Sequence, residues 1–362
     1  MIARLLDLAI AIQQIPAPTF HEAERAEFVR TRFAAEGLPV ELDAAGNVLA
    51  RLAGSGKGRP LVVSAHLDTV FPPSVGLKAE REPGRILAPG IGDNSLGLAG
   101  LFGLLWALRE RHISLPGDLW LVANVCEEGL GNLHGIRAVV DRFAADALAY
   151  IIIEGMSLGQ IYHRALGVRR YRVTVRTEGG HSWKDYGQPS AIHELAAFST
   201  RITALRPPRL PRTTLNIGII SGGSSVNTIA AEAMLELDLR SEEDEALDTL
   251  AGQVEAMARS AEREGVAVTV EIIGERPSGG IPAGHPLVEL AGECLRAVSI
   301  EPHLNIGSTD ANLPLSRGLP AVTVGLTTGG SAHTVHEFIN LAPLEKGMEQ
   351  LTRLVSKAWE CA

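Results

Sequence analysis

Four short apolar runs do most to limit what this 362-residue chain can fold into. They are Pro60-Leu-Val-Val-Ser-Ala-His66, Leu119-Trp-Leu-Val-Ala-Asn-Val125, Ala149-Tyr-Ile-Ile-Ile153 and Ala321-Val-Thr-Val-Gly325. They read as strands, and apolar runs without polar alternation belong to sheets covered on both faces, which are mainly parallel. Parallel strands need crossover connections, and helical stretches stand between the runs. One spans His21 to Glu36 and stops at Gly37; another spans Gly97 to Glu110; a last lies near Pro343 to Trp359. The expected fold class is α/β, a sandwich built on a mainly parallel sheet.

From about Arg169 the pattern changes. Tyr171-Arg-Val-Thr-Val-Arg176 and Ala233-Met-Leu-Glu-Leu-Asp-Leu-Arg240 alternate apolar with polar residues, as strands with one wet face do. Between and around them come a helix (Ala191 to Leu205), a strand (Thr214 to Ile220), a second helix and a closing strand (Val266 to Ile273). In the second helix Leu247, Leu250, Val254, Met257 and Ala261 recur at helical spacing; Ser241 is its expected cap and Gly265 its expected stop. The order βαββαβ is that of a ferredoxin-like unit. Buried-type strands return after it, so residues 168–275 are expected to form a smaller domain inserted into a larger one made of 1–167 and 276–362.

Composition narrows the function. Hydrophobic residues make up 46% and charged residues 21%, which excludes a disordered chain. Net charge is −9 with no dense basic tract, so neither nucleic acid nor an anionic membrane is an expected partner. Cys126, Cys294 and Cys361 are odd in number and far apart, which fits a reducing cytoplasm rather than a disulfide framework or a Cys-rich zinc site. No run of about 18 uncharged apolar residues suggests a membrane span. The first apolar stretch carries Arg4 and Asp7 and reads as an amphipathic helix, not a signal peptide.

The chemistry lies just past the buried strands, at the carboxyl ends where open α/β sheets bind ligands. His66 and Asp68 end one strand, Glu127 and Glu128 follow another, and Glu154 a third. Asp93 occupies a turn directly before a helix, and His333 and His336 lie in a Gly-rich loop after Gly325. Mixed imidazole and carboxylate donors suit two divalent metals, zinc foremost. Glu127 and Glu128 are neighbours that point opposite ways on an extended chain, so one can bind metal while the other acts as general base. Asp68, two residues from His66, can orient its imidazole.

Taken in order, SAHLDTV, GIGDNSLG, CEEG, IIIEG, EGGHSW, GSTDAN and SAHTVHEF resemble the motifs of the M20 family of metallopeptidases and amidohydrolases. The variants EEGLGNLHG and GGHSWKDYGQPSAIH are closest in style to its peptidase T-like, tripeptide aminopeptidase branch. The resemblance implies a zinc-peptidase-like fold whose inserted domain is a lid and often a dimerisation surface. It implies that Asp93 bridges two metals, with His66 and Glu154 on one and Glu128 and His333 on the other; cobalt or manganese are alternatives to zinc. Glu127 would take a proton from a bridging water, Asp68 would steady His66, and the peptide bond after Asp93 would be cis. His181 would stabilise the oxyanion, often from a partner subunit, while Asn227 and Arg240 would grip the substrate, Arg240 through its forked geometry.

Two residues depart from the family pattern: Asn94-Ser95 follows the bridging aspartate, and His336 stands near the end of the last motif. His333 is preferred as ligand because the small-His-Thr-x-x-Glu pattern aligns on it. Cys126 invites a nucleophile reading, but a strand-end cysteine is more often packing. No GxxxxGK[ST], GxSxG or complete GxGxxG occurs, which argues against ATP, serine-hydrolase and NAD chemistry. The expected protein is a cytoplasmic dizinc peptidase, homodimeric through its lid, that hydrolyses short peptides from the N-terminus. The alternative within the family is a deacylase of N-acyl amino acids or a carboxypeptidase-like amidohydrolase. A non-catalytic binding protein on the same scaffold would be expected to lack Glu127.

Overall fold

In the computed structural model, which describes residues 1–361, the four apolar runs form the centre of one sheet. Leu119–Asn124, Leu61–His66, Tyr150–Glu154 and Ala321–Gly325 lie side by side in that order, all parallel. The register pairs His66 with Asn124 and Glu154 with Gly325, so the carboxyl ends share one edge. All six residues of Leu61–His66 are buried, as the missing alternation requires. Antiparallel pairings add Val48–Leu52 and Val40–Leu42 on one side and Gln160–Ala165 and Gly279–Gly280 on the other, and His303–Gly307, parallel to Gln160–Ala165, brings the sheet to nine strands.

The helix Leu96–Glu110 explains why the sheet can be so apolar. Twelve of its residues are buried, leaving it no solvated stripe. By length and composition Ile91–Glu110 could cross a membrane, yet 94% of its apolar window is buried inside the protein, where it packs the core. Phe102 stacks on Phe33 of the helix Ala23–Ala35 at 4.0 Å. The helices Ile2–Gln13, His134–Phe143, Pro286–Ala297 and Leu344–Lys357 belong to the same unit, which comprises residues 1–165 and 279–362.

Residues 166–278 form a second unit with its own core. Its elements run Gly167–Arg176, helix Ala191–Thr203, Thr213–Gly222, Glu232–Ser241, helix Asp244–Ala261 and Ala267–Arg276. The four strands are antiparallel, with Glu232–Ser241 and Gly167–Arg176 central and Thr213–Gly222 and Ala267–Arg276 at the edges. That is the ferredoxin-like topology.

Local signals shift at the second helix of this unit. Ser241 does not cap it: the hydroxyl accepts the Glu243 N–H and pairs with Thr213, and the helix begins at Asp244. The strand before it runs through Ser241, which places that side chain in the buried sheet rather than at a helix mouth. The helix also ends at Ala261, before Gly265.

Candidate metal centre

The strand ends deliver acids and imidazoles to one place. His66 and Glu154 are the last residues of their strands, and Glu127 and Glu128 follow Leu119–Asn124. Asp93 sits in the turn before the buried helix, and His333 in the loop between Gly329–Gly330 and Phe338–Asn340. The Asp93–Asn94 peptide bond is cis.

Asp93 lends one carboxylate oxygen to each of two groups. Its Oδ1 is 3.0 Å from His66 Nε2, which also lies 3.8 Å from Glu154 Oε2. Its Oδ2 is 3.0 Å from His333 Nε2, which lies 3.1 Å from Glu128 Oε1. Ligand atoms of His66, Asp93 and Glu128 all fall within 4.8 Å of one another. His66 Nδ1–H donates to the Asp68 carbonyl at 3.0 Å, so Nε2 is the nitrogen that faces the acids.

Asp68 therefore holds His66 through its backbone oxygen, with the carboxylate farther off at 3.5 Å. The carboxylate has other partners. It accepts the Glu127 N–H at 2.9 Å, the Glu128 N–H at 2.8 Å and the Thr19 hydroxyl at 2.9 Å. One buried aspartate thus ties the histidine turn to the double-glutamate turn.

The electrostatics ask for a cation. Burial opposes charge on His66, yet its contacts to Asp68, Asp93 and Glu154 raise its pKa well above the ordinary value. Asp93 and Glu128 pull His333 up to about 10. Burial would raise the Asp93 carboxyl, but the two imidazoles overcome it and hold it below the usual carboxylate range. Burial, together with the charges of Asp93 and Glu128, raises Glu154 against the opposing bond from His66. Among the described residues no lysine or arginine pairs with Asp93, Glu128 or Glu154. Three carboxylates and two imidazole nitrogens with no other counter-charge fit a pair of divalent metals.

Three buried residues that sequence reasoning passed over hold this arrangement. Glu337 is fully buried and accepts the N–H groups of Gly92 at 2.7 Å, Asp93 at 2.9 Å and Gly90 at 3.3 Å. Burial pushes its carboxyl up to about 7, and those donors offset it only in part. Its signal was the acid that ends the small-His-Thr-x-x-Glu pattern, which served to align His333 and was given no role. Asn94 donates to the Ile153 carbonyl at 2.8 Å and accepts the Gly155 N–H at 3.0 Å, tying Asp93 to the strand end that carries Glu154. An aspartate could not make both bonds, which accounts for the departure at this position. Asp310 is buried against the Asn124 amide at 2.7 Å, and burial pushes its carboxyl up to about 7.

His333, not His336, is the histidine that meets Asp93 and Glu128. The Cys126 thiol is buried and faces Glu22, and the two effects push it up to about 12, far from a thiolate nucleophile.

The remaining candidates lie in the inserted unit. His181 and Asn227 are neighbours: Gly180–His181 pairs with Thr228–Ile229, and Ser182 N–H donates to the Asn227 carbonyl at 3.1 Å. The His181 Nδ1 accepts N–H groups from Trp183 at 3.2 Å and Lys184 at 3.4 Å, so the neutral ring keeps its proton on Nε2 as a donor. Arg240 is not with them. It pairs with Asp238 at 2.7 Å and sits opposite Val168, at the end of the sheet away from Arg176 and the His181 turn.

The profile of peptidase family M20/M25/M40 matches residues 62–357. The chain belongs to this family. This M20 protein is 26% identical to the uncharacterized protein YqjE of Bacillus subtilis (strain 168), over 98% of each chain. Its fold is similar to that of a tripeptidase from Staphylococcus aureus, with a TM-score of 0.84 at 24% identity over 99% of both chains. It is similar also to aminopeptidase PepT from Bacillus cereus, with a TM-score of 0.80 at 24% identity over 99% of both. The fold is thus the one that the family resemblance implies. The protein is a metal-dependent M20 peptidase, a hydrolase of peptide bonds.

Proposed function

We propose that this M20 protein is a dizinc enzyme that removes N-terminal residues from short peptides, with Glu127 as general base. The observation that carries the two-metal reading is the split of Asp93, one oxygen toward His66 and Glu154 and the other toward His333 and Glu128. Two divalent ions held there would polarise the scissile carbonyl and lower the pKa of a water. His66, Asp93 and Glu154 would hold one, and Asp93, Glu128 and His333 the other.

The protein's own groups handle the protons. Glu127 is buried beside Glu128, and its backbone is fixed by Asp68. Its carboxylate takes a proton from water and hands it to the leaving amine. The His181 Nε2–H donates to the oxygen on which negative charge develops, and Asn227 next to it contacts the substrate. Arg240 reads as a substrate contact only through the part of its guanidinium that Asp238 leaves open. The names of the two solved neighbours, a tripeptidase and an aminopeptidase, support the choice of short peptides with a free amine. The exposed edge strand Thr213–Gly222, with Ile219 and Ile220 outward, supports a homodimer formed through the inserted unit.

Mass spectrometry of a mixture incubated with zinc-loaded protein tests the substrate class. The mixture holds free-amine di- and tripeptides beside N-acylated amino acids and peptides. Shortening of the free-amine peptides from the N-terminus is the expected result. Cleavage of the acylated species instead would move the protein to the deacylase branch.

A further inference from the structure

The double-glutamate turn is held from a second side. Glu22, at the start of the helix Ala23–Ala35, is 5% exposed, and its Oε1 accepts the Cys126 N–H at 3.1 Å and the Phe20 N–H at 3.0 Å. The N–H groups of Cys126, Glu127 and Glu128 are therefore all taken by carboxylates, the first by Glu22 and the next two by Asp68. Cys126 has a φ of +58°, in the left-handed region that a residue with a Cβ avoids. That turn aims the chain leaving the strand Leu119–Asn124 toward the metal centre. Gly131 closes on it from outside, where a Cβ would stand 2.6 Å from the Cys126 oxygen.

The segment before Glu22 is tied to the same two turns. Thr19 donates to Asp68, and Thr69 N–H donates to the Ala17 carbonyl at 2.9 Å. Arg25, fully buried, donates to the carbonyls of Ile15 and Leu67. Residues 15–25 form a strap that fixes the histidine turn and the glutamate turn against each other. They lie before the stretch that matches the family profile.

We propose that Glu22 is a positioning residue for hydrolysis: through the Cys126 N–H it locks the left-handed turn that presents Glu127. This rests on Glu127 being the general base. A general base loses effect steeply with misplacement, while ligands gripped by metal are restored by the metal itself. Loss of Glu22 therefore lowers kcat more than it raises KM, with metal content kept.

The test is steady-state kinetics of the full-length, zinc-loaded chain on a cleaved tripeptide, with metal content and melting temperature measured on the same samples. Glu22→Ala is expected to lower kcat about 10- to 100-fold, with KM within about twofold of wild type and both metals retained. Glu22→Gln keeps an acceptor at the same place and should recover most of the rate. Adding Cys126→Gly to Glu22→Ala should recover part of it, because glycine adopts a positive φ without strain. Wild-type kcat in Glu22→Ala, or a kcat loss matched by loss of metal, overturns the inference. If Glu22→Ala does not fold, Glu22→Asp, with the carboxylate drawn back by one methylene, carries the test: unchanged kcat there overturns it too. Glu127→Gln is the control. An active Glu127→Gln defeats the general-base reading itself, whereas an inactive one beside wild-type rates in the Glu22 variants defeats only the role of Glu22.

Discussion

Along Leu61–His66 every side chain is buried and a titratable group appears only at the last residue. Along Gly167–Arg176 polar residues alternate with core residues from Arg170 onward, and Arg170, Arg172 and Arg176 each have an acid directly across the sheet. Arg170 meets Asp238 at 2.8 Å, Arg172 meets Glu236 at 2.8 Å and Arg176 meets Glu232 at 2.7 Å. The inserted unit neutralises charge as it goes, pair by pair on a wet face. The larger unit excludes charge from its sheet and then gathers Asp93, Glu128 and Glu154 at one edge, where no arginine or lysine among the described residues pairs with them. Paired charge there is architecture; acids gathered around two imidazoles are a place for an ion.

The sharpest way to break this contrast is at the edge. Asp93→Ala should abolish activity and metal binding together, because one residue serves both groups. Glu127→Gln should lower kcat by about 10²–10⁴-fold with metal content unchanged. Elemental analysis beside kinetics separates the two, and loss of metal from Glu127→Gln would remove the distinction drawn between ligand and base.

A smaller effect reads the charge balance directly. In the metal-free folded protein the acids pull His333 up to about 10, so it is protonated at pH 7, and contacts to Asp68, Asp93 and Glu154 raise His66 in the same direction against its burial. Metal loading should then release about one proton per chain from His333, measured as the dependence of the calorimetric heat on buffer ionisation enthalpy. The sign for stability follows from the same shift. Without metal, the contribution of His333 is fully present below its unfolded value near 6.5 and is lost as pH rises through about 10. The melting temperature of metal-free protein should fall across that window. A flat profile would mean the imidazoles are neutral and the acids less demanding than described.

The smallest effect belongs to the ladder. Arg172→Ala removes two partly exposed pairs, with Glu236 and Glu271, and should cost about 1 kcal/mol or less in urea unfolding, with kcat unchanged. A cost of several kcal/mol would erase the contrast between the two sheets.

Sequence made the strand ends legible because a strand buried on both faces announces itself as an apolar run, and the first charge after it stands out. The alternating strands of the inserted unit were legible for the complementary reason. What stayed hidden were contacts between distant residues. Glu22 reaches Cys126 across 104 positions and Glu337 reaches Gly92 across 245, and neither acid differs locally from a solvated one. The strand His303–Gly307 was missed because it is exposed and has no alternation to detect. Gln160–Ala165 was missed because its polar residues mask a strand that pairs on both edges. Ser241 shows the limit of cap signals: a serine before a helix can equally end a strand.

The order in which the ligands occur along the chain has a consequence for synthesis. Domains generally fold as units as they leave the ribosome, the earlier parts first. The inserted unit is contiguous, so all its strands are available once residue 278 has emerged. The metal centre needs His66 from one end and His333 from the other, and its sheet waits for Ala321–Gly325 to pair with Tyr150–Glu154. No shorter nascent chain can assemble both metal groups. The hydrolytic activity of this peptidase is thus withheld until His333 has left the ribosome.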